Sequence, residues 1–132
     1  NTLQLLQEAA ENNPDAGMIY SDYYEHVNGK DTLVETRHFT RENLRQNNPT
    51  CYCTLWNTKT FWAVGGYSDQ LMAEDYELQC RAFLAGVRVV KINEPVFHHF
   101  WRADSKWERD KKSIGVNVMR QSLAERYPQI FK

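Results

Sequence analysis

Ala73-Glu74-Asp75-Tyr76-Glu77-Leu78-Gln79-Cys80-Arg81-Ala82-Phe83-Leu84-Ala85-Gly86-Val87-Arg88-Val89-Val90-Lys91-Ile92 is the stretch whose pattern decides the fold. It predicts a helix from about Glu74 to Ala85. Two acidic residues open it, where the positive end of the helix dipole favours negative charge. Glu77 and Arg81 stand at ion-pair spacing on its one polar stripe. The rest of its circumference is largely apolar, through Tyr76, Leu78, Cys80, Ala82, Phe83 and Leu84, so the helix is expected to be buried on most sides. Gly86 is placed to cap its C-terminus, and Val87–Ile92 reads as the next strand. A helix packed this way and followed at once by an apolar strand belongs to an α/β layer.

Upstream, residues 2–11 set Leu3, Leu6 and Ala10 on one side of a helix, with Leu5 and Ala9 beside them; Asn12-Asn13-Pro14 ends it. Met18-Ile19-Tyr20 reads as a strand covered on both faces. Asn28-Gly29, between Glu25–Val27 and Thr32–Val34, is a hairpin turn, since this dipeptide tolerates the positive φ of a type I′ turn. Residues 40–46 suit one or two helical turns, Asn47-Asn48-Pro49 breaks the chain, and Cys51–Trp56 predicts a strand. Gly65-Gly66 opens a loop running to Ala73. Downstream, Pro95–Phe100 is a second extended stretch. Ser105 and Glu108 form a capping box before a last helix that carries Ile114, Val118 and Leu123 and stops before Pro128. The order is helix, strand, hairpin, strand, helix, strand, helix. One mixed α/β domain spanning residues 1–132 is expected.

The totals fit that reading. A chain of 132 residues, 42% apolar and 25% charged, can bury a core without a disulfide or metal. A net charge of −1 with no basic stripe argues against nucleic acid as a partner. Aromatic residues make up 13%, with four Trp and seven Tyr, more than a core of this size needs; the excess suits a cleft that stacks on flat apolar faces, sugars included, and equally suits a chain cut from a larger protein. Of the three cysteines at least one is unpaired, and Cys51 and Cys53 are too close along a strand for an easy bridge, so a reducing compartment is expected.

Two constellations could do chemistry. Glu74-Asp75 has an electrostatic explanation in the helix dipole alone. Its setting adds to that: a carboxylate fixed at the rim of a buried helix beside a flexible Gly-Gly loop meets the conditions for a general base. His98 and His99 are adjacent on a strand and point to opposite faces, so at most one shares a cleft with Asp75. A structural hydrogen-bonding role is the commoner fate of such a pair. No HxH or HxxxH spacing is present, and Cys-x-Cys alone does not argue for zinc.

From Asn47 to Ser105 the sequence resembles the C-terminal half of family 2 glycosyltransferases of the GT-A fold. Phe61-Trp62-Ala63-Val64-Gly65-Gly66-Tyr67-Ser68 is similar to the family's segment in which an aromatic and Gly-Gly precede an acceptor-contacting loop. Ala73-Glu74-Asp75-Tyr76-Glu77-Leu78, with Arg81 and Ala85-Gly86, resembles the family's xED helix. Pro95-Val96-Phe97-His98 resembles the strand ending in a metal-liganding histidine. The resemblance implies a partial GT-A-like mixed sheet flanked by helices, without the N-terminal nucleotide-binding βαβ half. It implies sugar transfer from a nucleotide-sugar donor to a carbohydrate or lipid-linked acceptor hydroxyl, with inversion. Asp75 would be the catalytic base. Glu74, Gly65, Gly66, Tyr67, Trp62 and Trp101 would contact the acceptor, and His98, or else His99, would bind a divalent Mg²⁺ or Mn²⁺.

The chain departs from the family in lacking an Asp-x-Asp motif; Asp22-Tyr23-Tyr24 does not supply one. That motif and the donor half are expected just upstream of Asn1. The isolated chain is therefore expected to fold without transferring sugar or binding metal tightly. A cytoplasmic location is expected, free or peripheral at the inner face of the membrane. Two rival readings are a non-catalytic sugar-binding or docking module, which needs only the aromatic cleft, and a phosphate-handling α/β domain, which no glycine-rich phosphate loop supports.

Overall fold

The computed structural model describes residues 1–50, 52–69 and 72–132. It is a mixed α/β arrangement: a four-stranded sheet flanked by helices. Helix α1 (Thr2–Asn12) is capped by the Asn1 side chain. Strand β1 (Met18–Val27) runs through the centre of the sheet. Strand β4 (Val89–Phe100) pairs parallel with it from Met18 to His26. The antiparallel strands β3 (Thr54–Trp56) and β2 (Lys30–Val34) pair with its first and second halves. A strand has two edges, and β4 takes one along its length, so β3 and β2 share the other end to end.

Strand β1 is longer than its sequence suggests. The apolar run Met18–Tyr20 and the hairpin arm Glu25–Val27 are one strand, and the polar Ser21-Asp22 between them is buried. Asp22 is tolerated there because it is fully engaged. Its Oδ1 accepts from the Thr36 amide at 2.8 Å and the Thr36 hydroxyl at 3.0 Å, and it pairs with Lys91 at 2.9 Å. Burial alone would raise this carboxyl, and those partners bring it below its usual range. The hairpin turn is as expected, with Asn28 at φ 51 and Gly29 at φ 78 and Val27 opposite Lys30.

The two extended stretches expected at Val87–Ile92 and Pro95–Phe100 are likewise one strand. Its register jumps: Ile92 faces Ser21, Pro95 faces Asp22 and Phe97 faces Tyr23. The extra residues form a bulge, and a proline without an amide hydrogen is accepted at such an irregularity.

Between β3 and the Gly-Gly loop lies a short helix, α3 (Thr58–Ala63), that the sequence reading passed over. Asn57 caps it by accepting from the Thr60 amide at 3.1 Å. Helix α2 (Arg41–Gln46) has Thr40 as its cap. The expected helix at Glu74 is α4 (Glu74–Leu84), and Tyr76, Glu77, Leu78, Gln79, Cys80 and Ala82 are all buried on it. The last helix is divided into α5 (Lys106–Ser113) and α6 (Val116–Arg126), because Gly115 takes φ 96, a conformation that ends α5. Pro128 starts a further turn, α7 (Pro128–Phe131). Of the expected strand Cys51–Trp56, Cys51 lies outside the described residues, as do Gln70 and Leu71 of the long loop.

Two apolar clusters hold the elements. Leu6, Ile19 and Val96, with Leu5, Ala9 and Ala10 against them, fix α1 on the sheet; Leu3 points away and is exposed. Leu44, Met72, Tyr76, Cys80, Met119, Leu123, Tyr127 and Ile130 join α2, α4, α6 and α7. Helix α4 thus has its start held by the helical cluster and its loop side free to carry a site.

Candidate active site

The backbone before α4 is strained. Ala73 adopts φ 58, ψ 51, a left-handed conformation that costs a non-glycine residue energy, and no side chain caps the helix there. Strain of this kind collects at functional sites, where the surroundings hold it in place. The next two residues are Glu74 and Asp75. Asp75 Oδ1 accepts from the Tyr76 amide at 2.8 Å, and Oδ2 accepts from the Asn48 side chain at 3.1 Å. Burial pushes the Asp75 carboxyl above its usual range. The amide bond to Tyr76 opposes that, the neighbouring Glu74 adds to it, and Lys106 pulls against it. Glu74 points outward to Lys106 of α5 at 3.4 Å, and Lys106 also bonds Asp110 at 2.6 Å.

The loop after α3 reaches the same place. Gly65 and Gly66 lie at φ 101 and φ 64, and their amides bond back to Trp62 and Phe61 carbonyls at 3.0 and 2.9 Å. A Cβ on Gly66 would sit 3.1 Å from the Trp62 ring. Tyr67, 58% exposed, packs edge-on to Phe61 with ring centroids 5.4 Å apart. Burial of its hydroxyl raises the phenol, and the charges of Asp75 and Glu74 raise it further. Trp62 is 68% exposed and stands on Phe61. The Gly-Gly turn is tied to α4 through Arg81, which donates to the Gly66 carbonyl at 2.5 Å, so Tyr67 lies within electrostatic range of Glu74 and Asp75, with Trp62 on the adjoining helix.

Trp101 follows the end of β4 and reaches α5, the helix whose Lys106 pairs with Glu74. Its amide bonds the His26 carbonyl at 3.0 Å and its indole donates to Glu108 of α5 at 3.2 Å. The histidines point to opposite faces, as alternation requires. His98 joins a column of stacked rings, Tyr24–His98–His26–Phe100, and its Nδ1 lies 2.7 Å from His26 Nε2, while Asp31 holds the other side of His26. His99 Nδ1 bonds Glu25 at 2.6 Å, and its ring lies parallel to Tyr52 at 3.5 Å. Tyr52 closes the segment that begins with Asn48, the partner of Asp75.

Among the described residues no group of three or more His, Cys, Asp or Glu side chains could hold a metal ion. Of the cysteines, Cys53 and Cys80 are free thiols, and burial pushes Cys80 up to about 12. No helix among the described residues is long and apolar enough to cross a membrane.

Three participants went unread in the sequence: Asn48, Lys106 and Tyr52. Asn48 was visible only as part of an Asn-Asn-Pro break, and Lys106 only as a residue after a capping serine. Comparison of the chain with protein-family models and with curated proteins returns no match to either. Chemically, the arrangement offers a desolvated carboxylate at a helix start, a second acid beside it, and aromatic faces open to solvent.

Proposed function

We propose that the chain is the acceptor-side part of a glycosyltransferase, and that Asp75 is the general base that deprotonates the acceptor hydroxyl. The observation that carries this reading is the carboxyl of Asp75. It is raised by burial, braced by Asn48 and set on a strained helix start beside a Gly-Gly loop with exposed aromatics. A base with a raised pKa holds a proton more readily once it has taken it, which is what proton abstraction near neutral pH asks for. Glu74 and Tyr67 would orient the acceptor, and Trp62 would stack on a sugar face. The likeness to the GT-A family 2 pattern supports the same assignment and adds inversion.

The donor half, with its nucleotide and diphosphate contacts, would lie outside these 132 residues, since no Asp-x-Asp occurs within them. In this reading the enzyme works on the cytoplasmic side, on a carbohydrate or lipid-linked acceptor.

The test is release of nucleoside diphosphate by the full-length protein from a panel of UDP- and GDP-sugars with Mn²⁺. Asp75→Asn should lower turnover by at least about 10²-fold while donor affinity stays within about twofold, because the amide keeps the shape and loses the basicity. A variant that keeps more than about a tenth of the turnover removes Asp75 from the role.

A further inference from the structure

We propose that Glu77 and Arg81 are positioning residues for the loop at residues 64–68, and that the docking of α6 and α7 is transmitted to that loop through Glu77. The Glu77 side chain is completely buried, at 0% exposure, an expensive place for a carboxylate. It is also densely served. Arg81 donates from Nε and Nη2, each at 2.8 Å, and Ser68 donates its hydroxyl at 2.9 Å. Tyr127 donates its hydroxyl, and Arg126 approaches to 3.3 Å. One carboxylate thus touches the loop through Ser68, its own helix through Arg81, and the C-terminal helices through Tyr127 and Arg126.

Arg81 completes the device. Its Nη1 donates to the Val64 carbonyl at 2.6 Å and its Nη2 to the Gly66 carbonyl at 2.5 Å. The planar guanidinium grips the backbone on both sides of Gly65 while it stays paired with Glu77. Gly65 must be glycine on two counts: its φ is 101, and a Cβ there would stand 2.9 Å from Arg81 Nη1. A buried ion pair is seldom the most stable filling for its space, and well-packed apolar residues often do as well or better. An apolar pair could not hold two carbonyls in place. What the charges supply is the position of the loop, and hence of Tyr67 relative to Asp75. Residues two apart on a helix point to roughly opposite sides, so Glu77 acts on the Asp75 side through the loop it holds.

The importance of that position for transfer rests on the reading of Asp75 and Tyr67 given above. The placement itself does not, and the experiment separates them. On the chain itself, amide hydrogen exchange reports the Gly65 and Gly66 amides, and ¹³Cζ-tyrosine NMR reports the Tyr67 phenol, assigned with Tyr67→Phe. In Arg81→Lys the shorter reach of a single ammonium leaves the carbonyls unheld. Exchange at Gly65 and Gly66 should then quicken by at least about tenfold while Met18–Tyr20 is unchanged. The Tyr67 phenol should titrate at lower pH. Tyr127→Phe, which keeps the ring and removes the hydroxyl, should move both readouts the same way by less, and it serves if Arg81→Lys does not fold. Unchanged Gly65 and Gly66 exchange with an unchanged Tyr67 titration in either folded variant would overturn the proposal. In the full-length protein Arg81→Lys should raise the acceptor KM and leave donor binding alone. A loop that moves in a protein with no transferase activity at all would confirm the positioning and sink the transferase reading instead.

Discussion

Asp75 and Glu77 stand two residues apart on α4, and the protein treats their carboxylates in opposite ways. Asp75 accepts from Asn48, has Glu74 as its neighbour and is raised by burial. Glu77 is buried more completely, yet hydrogen bonds from Arg81, Tyr127 and Ser68 outweigh the desolvation and hold it below its usual range. Desolvation leads at Asp75, and donors overcome it at Glu77. A buried acid surrounded by donors is a structural joint, and a buried acid left with few is available for proton transfer.

The comparison can be broken most severely at Asp75. The expected loss of about 10²-fold in turnover for Asp75→Asn has no counterpart at Glu77, where the damage should fall on stability. Glu77→Gln strands Arg81 among carbonyls and removes the centre of a joint. It should cost about 3 kcal/mol, lowering Tm by roughly 10 °C in a calorimetric scan. The pH dependence follows from the sign of the shift. A depressed carboxyl stabilises the fold above its ordinary value of 4.5, and that stability is lost as pH falls through the lower folded value. Glu77→Gln should therefore flatten the acid limb of the stability curve.

Stability at Asp75 should change in the other direction. A raised carboxyl costs the folded state stability at pH values where the unfolded chain has ionised, so the cost is absent below the ordinary value of 3.8, grows as pH rises towards the folded value and is complete above it. Asp75→Asn should consequently raise Tm by a few degrees at pH 7, with the gain vanishing as pH approaches 3.8. A variant no more stable than the wild type at pH 7 would mean that Asp75 is not desolvated. The smallest effect is expected at Ala73→Gly. Relief of the left-handed strain should add up to about 1 kcal/mol in denaturant melts, offset in part by the backbone freedom that glycine brings to the unfolded chain.

What the sequence disclosed of all this follows the range of the interactions. Helix α4 ends within one residue of its expected boundary, and the Asn28-Gly29 hairpin is where it was read, because caps, turns and periodicity are local signals. The bulge that carries β4 past Pro95 is set by pairing with β1, some seventy residues earlier, and was read as a break. Asn57 ahead of Thr60 was a capping signal in plain sight, yet α3 is too short for periodicity to register. The position of Asp75 at a helix start was legible. Its partner Asn48 was not, and neither was the enclosure of Glu77, which depends on Tyr127 fifty residues further on. Alternation placed His98 and His99 on opposite faces; which face meets the Asn48–Tyr52 segment is a matter of register with β1.

The most direct test is a ¹³C NMR titration of the side-chain carboxyls of Asp75 and Glu77 in one sample of the folded protein, followed upward from the lowest pH at which it stays native. Asp75 should titrate with a midpoint above 3.8 and Glu77 with one below 4.5. A midpoint for Asp75 at or below 3.8, or one for Glu77 at or above 4.5, would contradict the contrast between the two carboxylates.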